Sequence, residues 1–183
     1  MNINSSTTAT IITPDFSQLE SFEKDSLNNA LSQMIEKTKA NNYNTFLIPS
    51  TGISSCRSQQ IINDSNLKFI WCIVYYYQKM LWEKYEDIGA LELIKNADDV
   101  IELEYEETDH YFTIYRWFID NSGYIIFIWD GSYPSIISSL IGYTQVIGKN
   151  GLIYNCKKDK IFKLLTPDMI PLMLQDQFYD PDF

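Results

Sequence analysis

Six consecutive residues, Tyr124-Ile125-Ile126-Phe127-Ile128-Trp129, are all large and apolar, and they stand between Gly123 and Asp130-Gly131. Successive side chains of a strand point to opposite faces, so a strand built only from such residues is apolar on both. It belongs in the middle of a sheet. The run is too short for an independent helix, and its bounding turn residues mark it off as a strand.

The other segments are read around that strand. Residues 1–13 are rich in Ser, Thr and Asn and are expected to be mobile, leaving residues 15–183 as a single domain. With 45% hydrophobic residues, 13 Tyr and 10 Phe, the chain has ample surface for one core. Thr13-Pro14-Asp15 has the cap, proline and acid of a helix start, followed by Phe16, Leu19 and Phe22. A second helix begins at Asp25-Ser26, carries Leu27, Leu31, Met34 and Ile35 on one stripe, and ends beyond Lys37 and Lys39. Residues 45–48 read as a short strand, residues 50–66 as a polar loop with a helical turn near 59–62, and residues 67–85 as a central buried helix, although Ile73-Val74-Tyr75-Tyr76-Tyr77 also has strand propensity. Strands follow at 100–106, 110–119, 123–129, 143–147, 152–156 and 161–165, with residues 134–140 as a short helix or loop between them. The short links at 120–123, 148–151 and 157–160 require antiparallel neighbours. Thr166-Pro167-Asp168 starts a last helix. The expected fold is α+β, an antiparallel meander sheet in the C-terminal two-thirds packed against N-terminal, central and C-terminal helices.

Charge gives a second, independent signal. Asp98, Asp99, Glu102, Glu104, Glu106, Glu107 and Asp109 crowd one segment that contains no Lys or Arg. Within it Ile101-Glu102-Leu103-Glu104-Tyr105-Glu106 alternates, which places the glutamates on one face of a strand. If Glu104 faces Tyr111 across a hairpin, then Tyr111, Thr113, Tyr115 and Trp117 join the acidic face; a shift by one residue would bring His110, Phe112 and Arg116 there instead. Two readings compete. The charges either protect a sheet edge from aggregation or form a surface for a basic protein partner.

Several functions are disfavoured by composition. A formal net charge of -10, from 24 acidic and 14 basic residues, opposes direct binding to nucleic acid or anionic membrane. The one dense basic run, Lys157-Lys158-Asp159-Lys160, reads as a solvated turn. Cys56, Cys72 and Cys156 have no C-x-x-C spacing, so neither a disulfide framework nor a zinc site is expected, and a cytoplasmic location suits them. The N-terminus does not have the pattern of a secretion signal, and the apolar run at 69–77 is far below the ~20 residues of a membrane span. Glutamates at alternate strand positions stand ~7 Å apart, too far for three to meet on one ion, so no metal or cofactor is expected. Phosphate-cradling glycine motifs and an acid-x-Lys nuclease pair do not occur. The enzyme alternative, a small hydrolase or transferase with a pocket between helix and sheet, would draw on His110, Asp109, Asp130 and Cys56. A third possibility, mimicry of DNA by the acidic surface, needs carboxylates spread over several elements.

A small, acidic, Tyr- and Trp-rich α+β domain, with Ile101-Glu102-Leu103-Glu104-Tyr105-Glu106 beside Tyr111 and Trp117, resembles the immunity proteins of bacterial polymorphic-toxin and contact-dependent inhibition systems. The resemblance spans residues 15–183 in general character and carries no diagnostic motif. It implies a non-enzymatic inhibitor that binds a cognate, basic toxin domain in the cytoplasm. The partner-binding residues expected on this view are Asp98, Asp99, Glu102, Glu104, Glu106, Glu107, Asp109, Tyr111, Tyr115 and Trp117.

Overall fold

The computed structural model describes residues 3–13, 24–49, 53–74, 95–103 and 111–164. They form seven strands and four α-helices: β1 (Thr8–Ile12), α1 (Lys24–Ala40), β2 (Thr45–Pro49), α2 (Ile53–Asp64), β3 (Lys68–Val74), β4 (Asp99–Leu103), α3 (Tyr111–Asp120), β5 (Tyr124–Trp129), α4 (Ile136–Val146), β6 (Asn150–Asn155) and β7 (Lys160–Leu164). The sheet order is β4-β3-β2-β1-β5-β6-β7. Strands β1 to β6 are parallel to their neighbours, and only β7 runs antiparallel, against β6.

The chain is thus mixed α and β as expected, but the sheet is not an antiparallel meander. Helices cover both faces. On one, Leu27, Leu31, Met34 and Ile35 of α1 and Ile62 of α2 pack on Ile11, Phe46, Phe69, Ile126 and Ile128. On the other, Ile114, Tyr115, Phe118 and Ile119 of α3 and Ile137 and Leu140 of α4 pack on Ile12, Leu47, Ile70, Ile125 and Phe127. Parallel strands need crossover connections, and right-handed crossovers place the helices on opposite faces once the direction of winding reverses. Phe46, Phe69, Phe118 and Phe127 are fully buried, each contributing on the order of 2–3 kcal/mol.

The N-terminal segment expected to be mobile is instead β1, paired on both sides by β2 and β5. Its threonines are buried because their polar atoms are satisfied: the Thr10 hydroxyl donates to the Leu47 carbonyl at 2.9 Å, and that of Thr8 to Asn4 at 2.8 Å. Residues 68–74, read as part of a helix, are strand β3, in keeping with their β-branched and aromatic content. Residues 111–120, read as a strand, are α3. Their buried set, Ile114, Tyr115, Phe118 and Ile119, lies on one helical stripe, and Arg116 pairs with Asp120 one turn on at 3.5 Å. Residues 143–146, also read as a strand, continue α4, so the link to β6 joins a helix to a strand and is no hairpin. The expected loop at 50–66 contains α2. The hairpin at 157–160 is present, with Asp159 in the left-handed conformation. The expected helices beginning at Thr13 and at Thr166 fall outside the described residues, apart from Thr13 itself.

Candidate functional site

Winding reverses between β1 and β5, which are adjacent and parallel, with Ile12 level with Phe127. The chain leaves β1 towards α1 on one face and arrives at β6 from β5 through α4 on the other. Where two such exits part, the carboxyl ends of the strands border a crevice, which is the general ligand position of open parallel sheets. Thr13, buried at the end of β1, and the loop from Asp130 to Ser135 at the end of β5 occupy this place.

The β5 loop is built from its own polar groups. Asp130 accepts from the Ser132 amide at 3.1 Å through Oδ1 and from the Ser132 hydroxyl through Oδ2. The Trp129 indole N–H donates to the Ser132 carbonyl at 2.9 Å. Gly131 has φ +87°, and a Cβ there would lie 3.0 Å from Cβ of Lys157, so the turn needs glycine on both conformational and packing grounds. Ser135 then caps α4: its side chain accepts from the Ser138 amide at 3.1 Å, and the Ser138 hydroxyl accepts from the Ser135 amide at 2.9 Å. No acidic residue occupies the first turn of α4. The positive end of its dipole therefore faces the carboxyl edge uncompensated by the helix itself.

The neighbouring strand end supports this loop. Asn155, buried at the end of β6, accepts from the Lys158 amide at 3.0 Å. Cys156 follows it, and its thiol is pushed up to about 12, first by burial and then by the negative field of Asp130. Burial likewise pushes the Cys72 thiol up. Neither is a nucleophile at neutral pH. The side chain of Cys56 lies outside the described residues.

The acidic segment is distributed differently from expectation. Strand β4 is the end of the sheet among the described residues, Asp99 and Glu102 are exposed on it, and Asp98 is exposed just before it. Asp98 also has a structural task, because its Oδ2 accepts from the Phe69 amide at 3.0 Å. Asp99 accepts from the amide of Val100. Glu104, Glu106, Glu107, Asp109 and His110 lie outside the described residues. Tyr111, Tyr115 and Trp117 do not lie on a strand paired with β4. Helix α3 turns Tyr115 into the core, its hydroxyl donating to the Thr13 carbonyl at 3.5 Å, while Tyr111 is exposed and stacks on Tyr115, and Trp117 is half-buried against Phe118. The expected hairpin, with Tyr111, Tyr115 and Trp117 on a strand paired with the acidic one, is therefore not what the described residues form.

No family model matches this sequence, and no curated protein matches it either. Of the residues weighed for catalysis, Asp130 is at the reversal point. Thr13, Ser132, Tyr133 and Ser135 stand beside it, and the sequence signal for the last three is the Asp-Gly-Ser turn directly after the central strand, followed by Ser135-x-x-Ser138. Among the described residues no group of three His, Cys, Asp or Glu is placed to hold a metal ion, and no helix is long and apolar enough to cross a membrane.

Proposed function

We propose that this chain is a small-molecule-binding α/β domain, a hydrolase or transferase acting on an anionic metabolite that carries hydroxyl groups. The observation that supports it is the reversal of strand order between β1 and β5, which puts Asp130, Ser132 and the start of α4 at the ligand position of a parallel sheet. A helix start without acidic residues favours an anionic group, and Asp130 accepts hydrogen bonds from hydroxyls. Asp130 is also the group there able to take a proton from a hydroxyl or a water. Calorimetric titration with a panel of sugar phosphates and nucleotides, followed by product analysis, tests the reading. At least one should bind at or below millimolar concentration and be turned over, with D130N lowering turnover about 100-fold or more. A panel without a single binder removes it.

A second reading keeps the protein-binding inhibitor, an immunity protein neutralising a basic toxin domain in the cytoplasm. It is supported by the position of β4 at the end of the sheet, with Asp99, Val100 and Glu102 exposed. Under this reading a basic toxin domain associates at a rate that falls with salt, and D99K/E102K slows association about tenfold or more. An unchanged rate takes β4 out of the interface and leaves its acids as protection of a sheet edge.

A further inference from the structure

Helix α4 is apolar on its outer side as well as on its inner one. Ile137, Leu140 and Thr144 are buried, whereas Ile136, Val146 and Ile147 are 45%, 75% and 39% exposed. At helical spacing Ser139, Gly142 and Val146 form the crest of the outer side, flanked by Ile136 and Ile147, and Ile136 stands about 15 Å from Val146 along the axis. Among the described residues nothing comes within 4 Å of where a Cβ on Gly142 would be. A glycine inside a helix is unfavourable relative to alanine, and no described residue uses the gap that this one leaves.

The charge pattern says what fits this face. Residues 131–148 contain no Asp, Glu, Lys, Arg or His, in a chain of formal net charge -10. Around a two-fold axis each patch meets itself, so a charged patch meets its own sign. Self-pairing through either end of the sheet would do that: β4 carries exposed Asp99 and Glu102, and β7 with the turn before it carries exposed Lys157, Lys158, Lys160 and Lys163 with a single acid, Asp159, among them. The outer side of α4 meets no such repulsion. Its two ends also complement each other, because the first turn has no acidic residue, the last turn has no basic one, and the ammonium of Lys149 just beyond is bonded to carbonyls at the end of α3. Two such helices packed antiparallel lay the positive end of each beside the negative end of the other.

We propose that α4 is the contact between two copies of this chain, paired antiparallel about a two-fold axis, with Val146 of each copy level with Ile136 of the other. The gap at Gly142 then lies near the axis, where it admits the second helix.

Sedimentation equilibrium of the full chain tests the pairing. A contact built on one helix is at the small end of specific interfaces, so the dissociation constant is expected on the order of 10–100 µM. V146E and I136K should each raise it about 100-fold or more, because each sets an unpaired charge against an apolar side chain of the other copy, with thermal melting showing that both are folded. An equimolar mixture of V146E and I136K should associate within about tenfold of the wild type, since the glutamate of one copy then meets the lysine of the other. D99K/E102K, at β4, should not raise the constant. A wild type that stays monomeric to about 1 mM overturns the proposal. So does a dimer that survives both α4 variants, one that D99K/E102K dissociates, or a mixture that stays monomeric.

Discussion

The two edges of the sheet use their polar groups in opposite ways. At the amino edge the links are short and bonded to one another: the Asn44 amide donates to Thr7, the Lys68 amide to Asn44, the Gly123 amide to Thr8, and the Asp98 amide to Phe69. Helix ends gather there, and cations meet them. Lys39 donates to the Ser65 carbonyl, and the Lys149 ammonium donates to the carbonyls of Ile119, Asp120 and Ser122 where α3 finishes. At the carboxyl edge, the loop after β5 is braced by the Trp129 indole and by Asp130 and leaves Ser132 and Tyr133 exposed. One edge is tied into the fold by backbone bonds and lysines, and the other carries exposed side chains.

The comparison can be broken by variants that divide stability from binding. The largest loss of stability is expected at the closest strand contact. A Cβ on Gly151 would collide with the Ile125 backbone in the adjoining strand, so G151A should cost about 3 kcal/mol in denaturant unfolding. Next comes the amino edge. K149A removes three bonds from a half-buried ammonium, an expected ~1–2 kcal/mol, whereas K158A, an exposed side chain, should change stability by less than ~0.5 kcal/mol.

A pH-dependent effect is expected on the alkaline side. The folded Cys156 thiol is pushed up to about 12, above the value of 9.0 of an unperturbed thiol. The unfolded chain releases this proton first, so the contribution of the thiol to stability is full below about 9 and is lost as pH rises towards about 12. Unfolding midpoints of the wild type should fall more steeply over this window than those of C156A. Stability changes at the carboxyl edge are as small as that of K158A: D130N and Y133A should stay within about 0.5 kcal/mol of the wild type, while D130N reduces binding. If they proved as destabilising as K149A, the division between the edges would not hold.

Strand β5, strand β2, helix α1 and the β6–β7 hairpin were legible because their periodicities and turn residues leave little choice. The direction of the strands was not. Yet the clue was present in Tyr124 to Trp129, because a strand apolar on both faces needs cover on both, which helices on one face of a meander do not supply. Strand β1 was missed because Thr8, Ala9 and Thr10 are too small and polar to mark a core strand, and only the bond from Thr10 to Leu47 makes their burial tolerable. Segment 111–120 fits strand alternation and a helical stripe equally, and packing of Ile114 and Phe118 against the sheet chooses the helix. The site was harder still. Net charge draws attention to Asp98, Asp99 and Glu102, whereas the place of Asp130 beside the end of β1 comes from strand order, which brings together residues more than a hundred positions apart.

The most direct measurement is a map of backbone amide shifts by NMR as AMP is added to the isotope-labelled chain. The expected changes centre on Thr13 and on residues 130–137. Changes confined to β4 or to the amino edge would contradict it.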